Sequence, residues 1–167
     1  MKEISVPLNN EVVNQLRIGD VITLSGDIFC GRDMVLPRIC NELEDGTWKK
    51  RCIDLCGGVI FHTAVSIAGV GPTSSNKLEI ESSFEILSRH GIKLHLGKGS
   101  IHGETVATLD KYNAVYAVIP PVTALLGSRT HGQRLVAFPE LGMEAFYSLK
   151  VDRYPAIIAA AHGRSIY

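Results

Sequence analysis

The chain has 167 residues, 46% of them hydrophobic and 20% charged, a composition typical of one soluble globular domain over residues 1–167. Seventeen Lys and Arg residues balance seventeen Asp and Glu residues, so the formal net charge is zero. This balance argues against a nucleic-acid-binding protein, which usually carries a basic excess, and against an acidic disordered tail.

The first half of the chain predicts short elements separated by glycine and proline. Residues 9–16 favour a short helix, and residues 21–26 form a β-branched run typical of a strand. Residues 32–43 predict a helix in which Pro37 is unfavourable. Residues 58–63 predict a further strand.

The clearest helix follows the glycine-containing segment at 71–76. Ile80, Phe84 and Leu87 share one helical face, because they are spaced four and three residues apart. Asn76 is predicted to cap the start of this helix, and Gly91 is placed to end it.

The second half of the chain continues the alternation of strand and helix. In chain order we predict a strand at 92–96, a helix at 103–112, a strand at 114–119, a short helix opened by Pro120 or Pro121 and reaching 126, and strands at 135–138, 145–151 and 156–161. This order predicts a mixed α/β or layered β/β/α domain.

No segment of the sequence predicts export or membrane insertion. Residues 1–5 lack the apolar core of a signal peptide. The longest apolar run, 114–126, contains two prolines and is shorter than the roughly 18 residues that a membrane helix needs. We therefore expect a cytoplasmic protein without membrane association.

Three loops each carry one cation that could hold an anion: Arg32 at 31–33, Lys77 in the segment 71–77, and Lys98 at 97–99. Ligands of α/β proteins usually bind at such strand ends. Hydroxyl and backbone N–H groups before the predicted helix favour a small, doubly charged anion. The alternative is that Arg32 and Lys98 are solvated and that residues 73–75 only cap the helix.

Other motifs are incomplete. The Gly-Lys pair at 97–98 lacks the glycine and hydroxyl positions of a phosphate-binding P-loop. The glycines at 69 and 71 do not extend to a dinucleotide fingerprint, because residue 74 is serine. No Gly-x-Ser-x-Gly nucleophile motif is present.

Cysteines and histidines give no metal-binding pattern. Cys30, Cys40, Cys52 and Cys56 do not complete a zinc site, and disulfides are not expected in the cytoplasm. An iron–sulfur cluster on this chain alone would need three or four convergent thiolates. His95 and His102 flank the loop at 97–99, so either is a proton-carrier candidate or an ordinary histidine.

Several segments occur in the order of one enzyme family: GDVITLSG (19–26) with GRD (31–33), GPTSSNKLE (71–79), GKG (97–99), FPELGMEA (138–145) and YPA (154–156). With these segments the chain resembles the β subunit, or C-terminal domain, of class I iron–sulfur-dependent fumarate hydratases and tartrate dehydratases. The resemblance covers nearly the whole chain.

The resemblance implies a swivelling β/β/α fold and a hydro-lyase reaction, in which water adds reversibly to a short dicarboxylate. It also implies an α subunit that carries a four-iron four-sulfur cluster on its own cysteines, with none on this chain. The active site would lie between the two subunits of a hetero- or homo-oligomer, with no nucleic-acid partner.

Site residues follow from the same resemblance, position by position. Arg32 and Lys98 would bind substrate carboxylates. Thr73 would contact the substrate and act as a candidate proton acceptor, and Ser74 matches the threonine that follows it. Lys77 stands where the family usually has arginine, and this exchange loses the two-donor fork suited to a carboxylate.

Two further segments depart from the family pattern, 61–65 and 120–124. These departures leave the substrate open among fumarate, methylated fumarates, tartrate and other hydroxy acids. They also leave open a second hypothesis, a binding or regulatory module that kept the fold and the anion pocket but lost catalysis.

Overall fold

The structure, a computed structural model, describes residues 1–66, 69–73, 77–120 and 123–167. The helices are α1 (Asn10–Gln15), α2 (Leu36–Asp45), α3 (Lys77–Arg89), α4 (Gly103–Lys111) and α5 (Thr123–Ser128), with 3-10 turns at Thr47–Arg51 and Pro139–Glu144. The strands are β1 (Lys2–Ser5), β2 (Val21–Cys30), β3 (Val59–Phe61), β4 (Thr63–Ser66), β5 (Gly69–Thr73), β6 (Leu94–Gly97), β7 (Val115–Val118), β8 (Thr130–Ala137), β9 (Phe146–Ala161) and β10 (Arg164–Ser165).

The main sheet closes on itself like a barrel. Strands β2, β3, β6 and β7 are parallel neighbours, and β9 runs antiparallel to both β7 and β2. This pairing completes a ring of hydrogen-bonded strands. β1 adds to β2, while β8 and β10 add to β9. The described part of the chain therefore confirms the mixed α/β class.

Residue alternation along the strands separates an interior core from an outer one. Phe61, Leu96 and Ala117 belong to a buried cluster inside the ring, which also contains Val13 of α1 and Leu16, the residue that follows this helix. The residues that alternate with these along each strand point outward, because successive side chains of a strand face opposite sides of the sheet.

The outward-facing side chains are covered by helices. Ile60 packs in a buried cluster with Leu36 of α2 and Leu87 of α3. Tyr116 packs with Phe84 of α3 and with residues of α4. Helices α2, α3 and α4 thus cover the outward-facing side chains of the ring.

Several elements differ from the sequence predictions. The strands expected at 145–151 and 156–161 are one continuous strand, β9. This strand closes the ring between β7 and β2 and also pairs with β8. Residues 71–73, expected in a loop, belong to β5. Pro37 does not interrupt a helix, because α2 begins at Leu36 and proline is tolerated in the first turn.

The predicted helical face of α3 is confirmed where side chains are described, because Phe84 and Leu87 are fully buried. The predicted cap Asn76 lies outside the described residues. None of the described helices is both long enough and apolar enough to cross a membrane.

Candidate active site

Two of the predicted cations follow parallel strands of the ring at the same edge. Cys30 of β2 is level with Phe61 of β3, which is level with Leu96 of β6. Arg32 lies two residues beyond the first of these positions and Lys98 two residues beyond the last. Because adjacent strands lie about 4.8 Å apart, the two strand ends are separated by roughly 10 Å. The structure therefore brings these two chain segments together.

The turn that carries Arg32 depends on Gly31. The Gly31 N–H donates to the Phe61 carbonyl at 3.1 Å, and a Cβ at Gly31 would come within 2.8 Å of a methyl group of Val35. The turn at the end of β2 is therefore tight, and it has no room for a side chain at residue 31. The Arg32 carbonyl then accepts from Leu36 N–H at 3.0 Å, which leads directly into α2.

A carboxylate from a distant segment holds the Arg32 side chain. Arg32 Nη2 donates to Glu144 Oε1 at 2.5 Å, and both side chains are only about a quarter exposed, at 26% and 22%. Glu144 ends the 3-10 turn Pro139–Glu144. Its second oxygen, Oε2, is buried and has no hydrogen-bond partner among the described residues.

The loop that carries Lys98 is braced by the neighbouring strand. Tyr116 Oη donates to the Gly99 carbonyl at 3.1 Å, and a Cβ at Gly97 would come within 3.0 Å of the same hydroxyl. Gly99 has a positive φ of 73°, a conformation that side chains disfavour. Lys98 itself is exposed, and no ion pair joins it to another described residue.

The remaining predicted residues are described only in part. Thr73 ends β5, and its backbone pairs with Thr63 of β4. Because β4 begins two residues after β3 ends, this pairing puts Thr73 near the edge that Arg32 and Lys98 share. Lys77 is the first residue of α3. Ser74 and the side chains of Thr73 and Lys77 lie outside the described part.

A cavity of about 530 Å³ lies away from these residues. It is lined by Phe29 of β2, Arg134 of β8 and Ser148 of β9, on the outside of the sheet. Neither Arg32 nor Lys98 lines it.

The two histidines that flank Lys98 differ in environment. His102 is exposed and precedes α4, and its Nδ1 contacts Glu81 Oε2 of α3 at 2.6 Å. Glu81 Oε1 also accepts from Thr105 Oγ1 at 2.6 Å. His102 therefore tethers α4 to α3.

His95 is fully buried, and its ring contacts His62 and Ser88. Burial lowers the pKa of His95 well below its usual value, and the nearby His62 lowers it further. Burial also lowers the pKa of His62 to about 3. Both imidazoles are neutral near pH 7, so neither contributes positive charge to an anion-binding site.

The four cysteines lie in two kinds of environment. All four are free thiols; Cys30 and Cys40 are buried, while Cys52 and Cys56 are exposed. Burial raises the pKa of Cys40 to about 11 and also raises that of Cys30. Among the described residues, no group of three or more His, Cys, Asp or Glu side chains could hold a metal ion.

Sequence reasoning did not single out Glu144, the partner of Arg32. Glu144 lies in the segment 138–145 that carries part of the resemblance, so a signal was present, but its ion pair with Arg32 spans 112 positions. His62 lies in the segment 61–65 that departs from the family pattern. Its contact with His95 spans 33 positions.

Comparisons with known proteins identify the family of the chain. The family model described as "Fumarase C-terminus" matches residues 2–167. The L(+)-tartrate dehydratase subunit beta of Escherichia coli strain K12 is 31% identical over 183 residues, which cover 99% of this chain and 86% of the relative.

Two further relatives point in the same direction. A Methanocaldococcus jannaschii protein named as a candidate L(+)-tartrate dehydratase subunit beta is 31% identical, with 96% of this chain and 88% of the relative covered. A Geobacillus stearothermophilus protein named as a candidate class I fumarate hydratase is 24% identical, and the match covers 98% of this chain but 33% of that protein. With the family model matched across residues 2–167, the chain belongs to the fumarase C-terminal family, which includes tartrate dehydratase β subunits.

Proposed function

We propose that this chain is the β subunit of an iron–sulfur hydro-lyase that reversibly hydrates a short dicarboxylate of the fumarate/malate or tartrate type. Its partner is an α subunit, and the two subunits share one active site. The names of the similar proteins support both the reaction class and the subunit role. We also propose that residues 1–167 act as one swivelling β/β/α domain.

One observation carries the proposal. Arg32 and Lys98 follow two parallel strands at one edge of a closed ring, with a single strand between them. A dicarboxylate has two anionic ends, so two cations on loops at the same edge suit it better than one. The exposure of Lys98 also fits an active site that a second subunit completes.

Each site residue has a proposed part. The guanidinium of Arg32 binds one substrate carboxylate, and Glu144 orients it through Nη2. Lys98 binds the other carboxylate as a point charge, with Lys77 adding a further cation. Ser74 donates a hydrogen bond to the substrate.

Thr73 is the proposed proton acceptor for the carbon-bound proton of the substrate. A threonine hydroxyl is a poor base unless nearby positive charge stabilises its alkoxide, and Lys77 and Lys98 would supply that charge. The cluster, which this chain does not hold, would belong to the α subunit and supply an open iron as a Lewis acid.

The test is reconstitution. The chain is purified alone and together with a cysteine-bearing α subunit encoded by a neighbouring gene, and dehydration of malate, tartrate and methylated analogues is measured anaerobically. We expect no turnover by the chain alone and turnover by the complex.

Failure of the loaded complex to act on any of these acids contradicts the hydro-lyase proposal. Calorimetry with the chain alone separates the alternative. Tight dicarboxylate binding without a partner, in a complex that lacks activity, would identify a binding or regulatory module.

A further inference from the structure

The backbone of Lys98 is fixed on both sides by the sheet. The Gly97 carbonyl accepts from Ile119 N–H at 3.0 Å, so the chain is still paired immediately before Lys98. The Gly99 carbonyl, immediately after Lys98, accepts from Tyr116 Oη at 3.1 Å. Lys98 is exposed between these two contacts. Its backbone is therefore held while its side chain stays accessible.

A carboxylate of α3 holds the far end of the same loop, where the chain enters α4. Glu81 Oε1 accepts from His102 N–H at 2.7 Å and from Thr105 Oγ1 at 2.6 Å. Glu81 Oε2 lies 2.6 Å from His102 Nδ1. An ionised carboxylate only accepts hydrogen bonds, so His102 Nδ1 is the donor in this contact. These three contacts all go to the segment 102–105.

The burial of Glu81 indicates that these contacts specify where the loop ends. Its side chain is only 7% exposed, and a buried carboxylate loses hydration that hydrogen bonds must replace. The N–H groups at the start of a helix also need acceptors from outside the helix. The side chain of His102 does not cap α4, so Glu81 provides an acceptor from a different helix.

The middle of the loop is held between these two ends. Burial raises the pKa of the Tyr116 hydroxyl, and the charges of Tyr167 and Glu81 raise it further. The hydroxyl therefore keeps its proton near pH 7 and remains a donor to Gly99. Ile101 packs against the buried cluster that contains Tyr116. The loop at 97–102 is thus anchored at its start, in its middle and at its end.

We propose that Glu81 is a positioning residue of the hydro-lyase site, which holds the loop at 97–102 so that Lys98 is set to bind one substrate carboxylate. No ion pair joins the Lys98 side chain to another described residue, so the position of its flexible stem depends on the loop backbone. This inference rests on the proposed function, because it assigns a role within the same site.

Variants of Glu81 separate this role from a purely structural one. Glu81→Ala removes all three contacts. Glu81→Gln keeps an oxygen that accepts from the His102 N–H and the Thr105 hydroxyl, and its amide group can donate to His102 Nδ1 in the other neutral tautomer. Glu85→Ala, at an exposed position one turn further along α3, is the matched control. Each variant is assayed in the complex with the α subunit, alone and combined with Lys98→Ala.

We expect Glu81→Ala to raise KM about 5- to 20-fold with kcat within about threefold of the wild type, because a carboxylate contact is present in both the ground state and the transition state. Glu81→Gln and Glu85→Ala should stay within about threefold of the wild-type KM, since the former keeps the hydrogen bonds and the latter removes none. In the Lys98→Ala background, Glu81→Ala should change kcat/KM less than about twofold, because no ammonium is left to position.

Two kinetic results would overturn the proposal. Equal effects of Glu81→Ala with and without Lys98 would show that the two residues act independently. A Gln variant as impaired as the Ala variant would show that the charge of Glu81, rather than its hydrogen bonds, is what matters. Should Glu81→Ala fail to fold, Thr105→Val removes one of the three contacts at similar side-chain volume, and the same dependence on Lys98 is expected.

Amide hydrogen exchange of the full chain tests the contacts of Glu81 without an activity assay. The His102 N–H is expected to be protected in the wild type and to exchange about tenfold faster or more in Glu81→Ala, while amides of β9 keep their wild-type rates. Unchanged protection of His102 in the variant overturns the inference.

The outcomes distinguish this inference from the proposed function. If hydrogen exchange is as expected but the wild-type complex turns over no dicarboxylate, the proposed function fails, and the role of Glu81 in it fails with it. If the complex is active and the effect of Glu81→Ala does not depend on Lys98, only the role of Glu81 is wrong.

Discussion

Acidification is expected to destabilise this protein well above the pH range in which its carboxylates titrate. His62 and His95 are completely buried and neutral in the folded state. Burial lowers the pKa of His62 to about 3 and lowers that of His95 well below its usual value, whereas both titrate near 6.5 in the unfolded chain. The unfolded state therefore binds more protons than the folded state below about pH 6.5, and stability falls as the pH falls.

The size of the loss follows from the width of this window. Between about pH 7.5 and pH 5, His62 remains neutral in the folded state while the unfolded residue becomes protonated over about 1.5 pH units. At about 1.36 kcal/mol per unit, His62 costs about 2 kcal/mol, and His95, whose pKa is lowered in the same direction, adds to this loss. For a chain of this length, the His62 contribution alone corresponds to a fall in Tm of roughly 4–8 °C.

Carboxylates contribute in a different window. The pKa of Asp20 is lowered by its hydrogen bond from Lys2, and that of Asp45 by its hydrogen bonds from Thr47. A carboxyl group whose pKa is lowered by folding stabilises the folded state at pH values above its unfolded-state pKa near 3.9. This stabilisation is lost as the pH falls through the folded-state pKa. The loss between about pH 7.5 and pH 5 is therefore a property of the histidines.

Reversible urea denaturation of the full chain at both pH values measures this loss directly. His62→Asn should remove about 2 kcal/mol of the pH-dependent part, because one of the two buried histidines is gone. His131→Gln changes a histidine whose side chain is 54% exposed and should leave the pH-dependent part intact. A wild-type chain equally stable at both pH values, or an NMR titration that shows His62 protonated at pH 5, would refute the reasoning.

Three further predictions concern the site. In the complex, Arg32→Ala and Lys98→Ala should each lower kcat/KM about ten- to a hundred-fold, the scale of one charged hydrogen bond. The control Arg38→Ala, on the exposed face of α2, should leave kcat/KM unchanged. Unchanged kinetics in both site variants would exclude the carboxylate roles. Glu144→Gln should mainly raise KM, because Arg32 loses the charge that orients it, and steady-state kinetics that match the wild type would argue against this. Lys77→Arg should shift the ratio of kcat/KM between tartrate and fumarate, because arginine adds a two-donor fork.

Local pattern predicted most helices well. The helices at 9–16 and 103–112 were placed to within a residue or two at each end, because capping residues and apolar spacing act over a single turn. The strands were harder to predict. Residues 145–161 contain polar and charged positions that suggested two strands. Phe146–Ala161 nevertheless form one strand, because β2 pairs with it from Tyr147 to Ile157, while β8 and β7 pair with its two ends.

The β4–β5 pair was not predicted for a related reason. A segment rich in glycine and hydroxyl residues has the composition of a loop. Its first part becomes a strand only because Thr63 and Thr73 meet as backbone partners. Composition carries no information about such pairing.

By itself, the amino-acid sequence determined the local features of the site: a cation after each of several strands, the glycines that let the chain turn there, and the ordered segments of the fumarase C-terminal family. Only the tertiary structure decided which of these segments meet. Closure of the ring brings the ends of β2 and β6 to one edge, pairs Arg32 with Glu144 and buries His62 against His95. These contacts depend on strand register and long-range packing, and neither leaves a periodic signal in a single sequence.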